Sequence, residues 1–269
     1  MRLLILGDLV GRSGRDAVIS ALPALRAQTR ADFVAVNAEN ASHGFGLAPE
    51  MAEALFAAGA DVLTLGNHAW DRREIIPYIA REPRLLRPLN FPPGTPGAGA
   101  AVITLPDHRK VLIAQAMGRL FMDPLDDPFR VVEELLSRHK LGITVQAALI
   151  DFHAEATSEK MAFAHAFDGR VSAVVGTHTH IPTADHQVLP GGTGFCTDLG
   201  MCGDYDSVIG MTKEPSVTRF IRKMPGERLA PAEGPATICG AFIETDEKGL
   251  ATRIEPLRMG GRLIPAMPK

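Results

Sequence analysis

Nine polar side chains fall in five short clusters, each following an apolar run: Asp8; Asn37, Glu39 and Asn40; Asn67 and His68; His153; and His178 with His180. Carboxylate, carboxamide oxygen and neutral imidazole suit Mn, Fe, Zn or Co, and the absence of thiolate argues against an iron–sulfur cluster or a structural zinc. The nearest cation in any of the five segments is Arg12. Gathering so many acceptors and imidazoles in one place is costly unless something positive sits among them, and a metal is the natural candidate. About seven candidate ligands exceed the four of a tetrahedral ion, so two ions sharing a bridging carboxylate fit the count. Such a pair activates water on one side and stabilises a leaving oxygen on the other, the chemistry of phosphoester hydrolysis.

Taken singly, each member has a plainer reading. Asp8 is then a turn residue at a strand end, Asn37, Asn40 and Asn67 cap turns, and His153 is a structural histidine. His178-Thr179-His180 is more specific, because in an extended segment residues i and i+2 project to the same face. Recurrence at five strand tips is what lifts the set above its parts. Gly7, Gly11 and Gly14 form neither a dinucleotide fingerprint nor a P-loop, and are read as a flexible turn that lets Asp8 face the site. No G-x-S-x-G elbow supports a serine mechanism.

The elements that position these residues read as a βαβαβ pattern. Strands are expected at 3–6, 33–36 and 62–65, with helices at 14–28, where Val18, Leu22 and Leu25 keep helical spacing, and near 49–58. Residues 84–105 are rich in Pro and Gly, a loop signal. Segments 101–105 and 111–116 then predict an antiparallel hairpin. A helix follows at 131–139, a strand at 143–150, a helix with Thr157 or Ser158 as its cap, and a strand at 171–175. Short strands at 187–189, 237–244 and 251–255 suggest a closing sheet. In an open α/β sheet ligands bind beyond the carboxyl ends of parallel strands, so neighbouring strands would bring all five tips to one patch. No repeat, linker or low-complexity tail divides the chain, and a single domain over 1–269 is expected.

Composition narrows the class. The hydrophobic fraction is 46% and the charged fraction 22%, ordinary for a globular protein, and 26 Gly with 20 Pro among 269 residues fall short of low complexity. A net charge of −3 argues against bulk nucleic-acid or anionic-membrane binding. Cys196, Cys202 and Cys239 form no CxxC pair, and reduced thiols in the cytoplasm are expected. No apolar run is long enough for a signal peptide or a membrane span. A homo-oligomer stays open, with the Pro-rich 88–97 segment available for an interface.

The blocks Gly7-Asp8, Gly66-Asn67-His68, Asp151-Phe152-His153 and Gly176-Thr177-His178-Thr179-His180 resemble the ordered motifs of the calcineurin-like metallophosphoesterases. Two departures stand out. Asp8-Leu9-Val10 lacks the usual histidine two residues after the aspartate, and Asn37-Ala38-Glu39-Asn40 carries Glu in place of the bridging Asp. These departures, with the phrases GDLVGRSGR, NAENASHGFG and DFHAEATSEK, are similar to a bacterial subfamily of 2′,3′-cyclic-nucleotide 2′-phosphodiesterases across essentially the whole chain. The resemblance implies an α/β fold, a four-layer αββα sandwich with two mixed β-sheets. It implies two divalent or trivalent ions, Fe or Mn first and Zn as an alternative. One ion would be held by Asp8, Glu39, Asn40 and His180, the other by Glu39, Asn67, His153 and His178. His68 resembles the family's non-ligand histidine, a general acid or transition-state stabiliser. The implied substrate is a cyclic nucleotide or another small phosphodiester, 2′,3′-cyclic nucleotides first. A 3′,5′-cyclic phosphodiesterase, a general phosphomonoesterase, or a metal- or nucleotide-binding regulatory protein with incidental hydrolysis are the alternatives.

Overall fold

A computed structural model describes residues 1–224 and 227–268. The chain runs β1 (Arg2–Leu6), α1 (Gly11–Thr29), β2 (Phe33–Asn37), α2 (Pro49–Ala58), β3 (Val62–Thr64), α3 (Ile75–Ile79), β4 (Leu85–Leu86), β5 (Ala100–Thr104) and β6 (Lys110–Met117). It continues through α4 (Pro128–Arg138), β7 (Ala147–His153), α5 (Thr157–Ala166), β8 (Ala173–Thr177), β9 (Gln187–Val188), β10 (Gly194–Cys196), β11 (Gly203–Asp204), α6 (Lys213–Arg222), β12 (Ala236–Thr245) and β13 (Ala251–Gly260).

Among the described residues the strands form two mixed sheets. One has the order β11-β12-β1-β2-β3-β4, with β13 also on β12; the other has the order β5-β6-β7-β8-β10-β9. The neighbours β1, β2 and β3 are parallel, as are β6, β7 and β8. Period-2 alternation within the strands assigns each face its layer. In β1, Leu4 and Leu6 pack with Val18, Leu22 and Leu25 of α1, whereas Leu3 and Ile5 meet Ile113, Leu149 and Val175 of the opposite sheet. On the far side, Ala148, Ile150 and Phe152 pack with Val132 of α4 and Phe163 of α5. Three buried clusters thus separate four layers, the αββα sandwich that the family resemblance implies.

Differences from the sequence expectations are local. Helix α1 begins at Gly11 rather than 14, because Gly11 turns into it with φ +65°. Gly7 acts by close approach rather than flexibility, since a Cβ there would overlap the carbonyl of Gly200. Strand β7 starts at Ala147, after an exposed Ile143, and continues through Asp151 and Phe152 to His153 because Asp151 pairs with both Gln115 and Val175. Neither Thr157 nor Ser158 caps α5; the cap position is Ala156, with no side-chain hydrogen bond. The Asp127 side chain caps α4 ahead of Pro128, three residues before the expected start. Helices α3 and α6 and the short strands β4, β10 and β11 lie where the sequence pattern predicts no such element. No helix is long and apolar enough to cross a membrane among the described residues.

Candidate metal centre

All five clusters come together, but from two sheets. Asp8, the 37–40 turn and Asn67-His68 follow β1, β2 and β3; His153 ends β7; and His178 and His180 follow β8. Two groups of potential ligands share one carboxylate: Glu39 with His153 and His178, and Asp8 with Glu39 and His180, the ligand atoms of each group lying within 4.8 Å of one another.

Three histidines each have a polar neighbour at the outward ring nitrogen, and two of them are hydrogen-bonded there. His153 Nδ1 lies 2.9 Å from Thr177 Oγ1, and Thr177 donates its hydroxyl proton to Asp151 at 2.6 Å. Having spent its proton there, Thr177 accepts from His153 Nδ1–H. The carbonyl of Ile209, which can only accept, receives His180 Nδ1–H at 2.8 Å. His178 Nε2 lies 3.2 Å from Glu155 Oε2. In each ring the opposite nitrogen turns inward, and for His153 and His180 this is the arrangement by which protein acceptors fix the tautomer of metal-binding histidines. His153 Nε2 has Asn67 Oδ1 at 2.9 Å, Glu39 Oε1 at 3.2 Å and His178 Nδ1 at 3.2 Å. One nitrogen cannot bond three such neighbours through a single proton. Adjacent donors around one ion with bonds of about 2.1 Å are spaced by about 3 Å.

The other group is looser. His180 Nε2 is 3.4 Å from Asn40 Nδ2 and 4.0 Å from Asp8 Oδ1, and Asn40 Nδ2 donates to Glu39 Oε1 at 3.1 Å. Asp8 Oδ1 and Asn40 Oδ1 are buried with no hydrogen-bond partner, and an orphaned buried acceptor is costly. Oxygen and imidazole donors with two orphaned oxygens fit metal ions of the Mn, Fe or Zn class. Gly66 belongs to the same fit: a Cβ there would overlap Glu39 Oε2 and His153 Nε2.

Electrostatics points the same way. Burial pushes the Asp8 carboxyl up to about 6, against the pull of His180 and His153. Burial also opposes charge on Glu39, but His153 outweighs it and holds that carboxyl below its ordinary range. Burial disfavours a cation at His153, which Glu39 more than offsets, raising it to about 9. His178 is depressed to about 3 by burial and by the neighbouring His153. Beside the Glu39 carboxylate positive charge is therefore favoured; a proton on His153 is one way to supply it, and a metal cation another.

His68 lies beside these groups without joining either. A turn at 67–70 separates it from Asn67, so Asn67 meets His153 while the His68 backbone N–H donates to Glu39 Oε2 at 3.2 Å. Its Nδ1 sits 2.9 Å from Asp71 Oδ2, and Phe45 packs edge-on against the ring with centroids 5.1 Å apart. His178 and His180 reach neighbouring groups differently from the expected extended segment: their φ values are +95° and +68°.

Asp151, Lys160 and Asp198 support the site although the sequence pattern does not single them out, and Asn37 braces its turn. Asp151 is fully buried and accepts from Thr177, Thr64, Asn37 and Gln115. Burial pushes its carboxyl above the ordinary range, against the pull of His153 and these donors. Asn37 also donates to the carbonyl of Leu65 and accepts from the Glu39 backbone N–H, so it braces the turn. Lys160, buried in α5, donates to the Thr177 carbonyl and to Asp198, both at 2.8 Å. Asp198 in turn accepts from the Thr179 backbone and hydroxyl and from the Gly200 N–H, pinning the 177–180 turn. The position of Asp151 within the Asp-Phe-His block was the available signal; Lys160 and Asp198 carry none that spacing could reveal.

Comparison with known proteins places this geometry in a family. A family model described as YmdB-like protein matches residues 4–257. A Bacillus subtilis protein named 2′,3′-cyclic-nucleotide 2′-phosphodiesterase is 44% identical over 92% of this chain and 92% of its own length. A solved structure of a hypothetical protein from Thermus thermophilus superposes with a TM-score of 0.90 at 44% identity, covering 97% of this chain and 100% of that one. A structure described as a novel phosphatase from Mycoplasma pneumoniae superposes with a TM-score of 0.89 at 34% identity, covering 97% and 93%.

Proposed function

Because this chain belongs to the YmdB-like protein family, we propose that it is a metal-dependent phosphodiesterase acting on 2′,3′-cyclic nucleotides. The observation that carries this reading is the pair of ligand groups sharing Glu39. The similarity to a protein named as a 2′,3′-cyclic-nucleotide 2′-phosphodiesterase supports the substrate class.

Asp8, Glu39, Asn40 and His180 would hold one ion, and Glu39, Asn67, His153 and His178 the other, with Mn or Fe as the first candidates and Zn as the alternative. When bound, two such ions supply Lewis-acid activation of water and neutralise charge on the phosphoryl oxygens. The chain's own contribution begins with rigid ligands: Thr177 and the Ile209 carbonyl fix the His153 and His180 imidazoles, so little reorganisation accompanies the reaction. His68 acts on the leaving oxygen. Asp71 engages its Nδ1, leaving Nε2 for the substrate. As a water oxygen bonds to phosphorus and gives up one proton to solvent, the P–O2′ bond breaks; the departing O2′ takes the proton from Nε2, solvent returns a proton to His68, and a nucleoside 3′-phosphate is released.

The test is a substrate screen of chelated protein reloaded with Mn, Fe(II), Zn or Mg. The 2′,3′-cyclic nucleotides should turn over fastest, with Mn or Fe(II), and yield the 3′-phosphate. Full activity after exhaustive chelation would contradict metal dependence. Faster turnover of 3′,5′-cyclic nucleotides or monoesters would assign the site to those substrates instead.

A further inference from the structure

Ile209 occupies a position that suits it poorly. Val208 and Met211 exchange backbone hydrogen bonds at 2.9 and 3.0 Å, closing a two-residue hairpin turn. Its central residues, Ile209 and Gly210, have φ of +48° and +95°. Turns with both central residues left-handed favour Asn, Asp or Gly, and a β-branched residue there is strained. Gly210 lies so close to Val10 that a side chain would not fit. Met211 is buried with Val10 and Met201. Position 209 is therefore the turn's outward one, and its side chain is half exposed. Strain and exposure both disfavour isoleucine at this point.

What distinguishes the place is its neighbour: the Ile209 carbonyl holds His180 Nδ1. Ile181, directly after His180, is also half exposed. The partly buried Phe45 packs on His68 and against the cluster of Val10, Met201 and Met211. Apolar groups thus flank the candidate metal centre on its His180 side and its His68 side. Strained residues cluster at ligand clamps. We infer that Ile209 is a specificity-determining residue whose side chain seats the nucleoside of the substrate. Ile209, with Ile181 beside His180, would contact base and ribose by shape, with tolerance of base identity. This inference rests on the proposed function.

The test compares 2′,3′-cyclic AMP with glycerol 1,2-cyclic phosphate, which has the same five-membered phosphodiester ring and no base. The variants are Ile209→Gly and Ile209→Asn, which keep the carbonyl that holds His180 and accept positive φ. The ratio of kcat/KM for the nucleotide to that for the glycerol ester should fall about tenfold in both. The thermal midpoint should hold or rise by about 2–4 °C as strain is relieved. An unchanged ratio in both variants would overturn the inference, as would a lower midpoint in both, which would make Ile209 a structural prop. A parent protein loaded with Mn(II) that hydrolyses neither ester would refute the proposed function instead.

Discussion

Replacing Thr177 by Val separates support of the metal ligands from general stability. The swap keeps the shape of a fully buried side chain but removes the hydroxyl between His153 Nδ1 and Asp151 Oδ1. His153 Nδ1–H loses its acceptor, and Asp151 keeps Thr64, Asn37 and Gln115 as donors. A buried group left unsatisfied costs about 1–3 kcal/mol, so a loss of about 2–4 kcal/mol is expected for the pair. The imidazole is no longer held in the tautomer that turns Nε2 inward, and removing such a support weakens metal binding by about 10–100-fold. Thr64→Val is the control. Its hydroxyl donates to Asp151 Oδ2 at 2.6 Å and touches no histidine, so stability should fall by about 1–2 kcal/mol with metal affinity close to the parent's. Denaturant unfolding of the chelated proteins measures the first quantity, and competition for Mn(II) against a chromophoric chelator the second. The reasoning is refuted if Thr177→Val binds Mn(II) as tightly as the parent, or if Thr64→Val weakens binding equally.

Other residues yield further expectations. Gly66→Ala should displace Glu39 and His153, costing about 1–3 kcal/mol of stability from overpacking and a visible loss of bound metal by elemental analysis; an unaltered metal content would contradict the fit. His68→Gln should retain its metal while kcat falls by about 10²-fold or more, and loss of metal in that variant would make His68 a ligand. Asp32→Asn tests a site remote from the centre. Burial raises the Asp32 carboxyl, but hydrogen bonds from Arg109 and the Arg2 N–H win and hold it below its ordinary range. A depressed carboxyl contributes stability above its unfolded pKa and loses it as pH falls through the folded one. The variant should be less stable by about 1 kcal/mol at neutral pH, with the gap closing in acid; a gap that persists at low pH would refute the linkage.

Much of the site was legible because apolar runs end abruptly in metal-competent residues, as at Leu6 before Asp8 and Leu65 before Asn67. Periodicity says where a strand stops, and the tip residues follow. Assignment to two sheets was not legible from pattern alone, since β2 and β8 are equally apolar runs whose partners depend on long-range pairing. The same limit hid Asp151, which reads as one more polar residue near a strand end yet lies on the interior face of β7 beneath the ligands. The His178-Thr179-His180 motif is legible in its residue types but not its geometry, because the left-handed φ at two histidines belongs to a turn that Lys160 and Asp198, distant in sequence, hydrogen-bond. Helix α6 escaped because, of its ten residues, Ser216 is the buried one, so no core-facing stripe marks it.

A carboxylate common to two metal sites, as proposed for Glu39, is read out by metal stoichiometry. Chelated protein reloaded with Mn(II) and freed of excess metal should carry about two ions per chain. Glu39→Ala should carry almost none, whereas His180→Ala, which removes a ligand from one group alone, should keep about one. A Glu39→Ala protein that retains both ions would contradict the shared carboxylate.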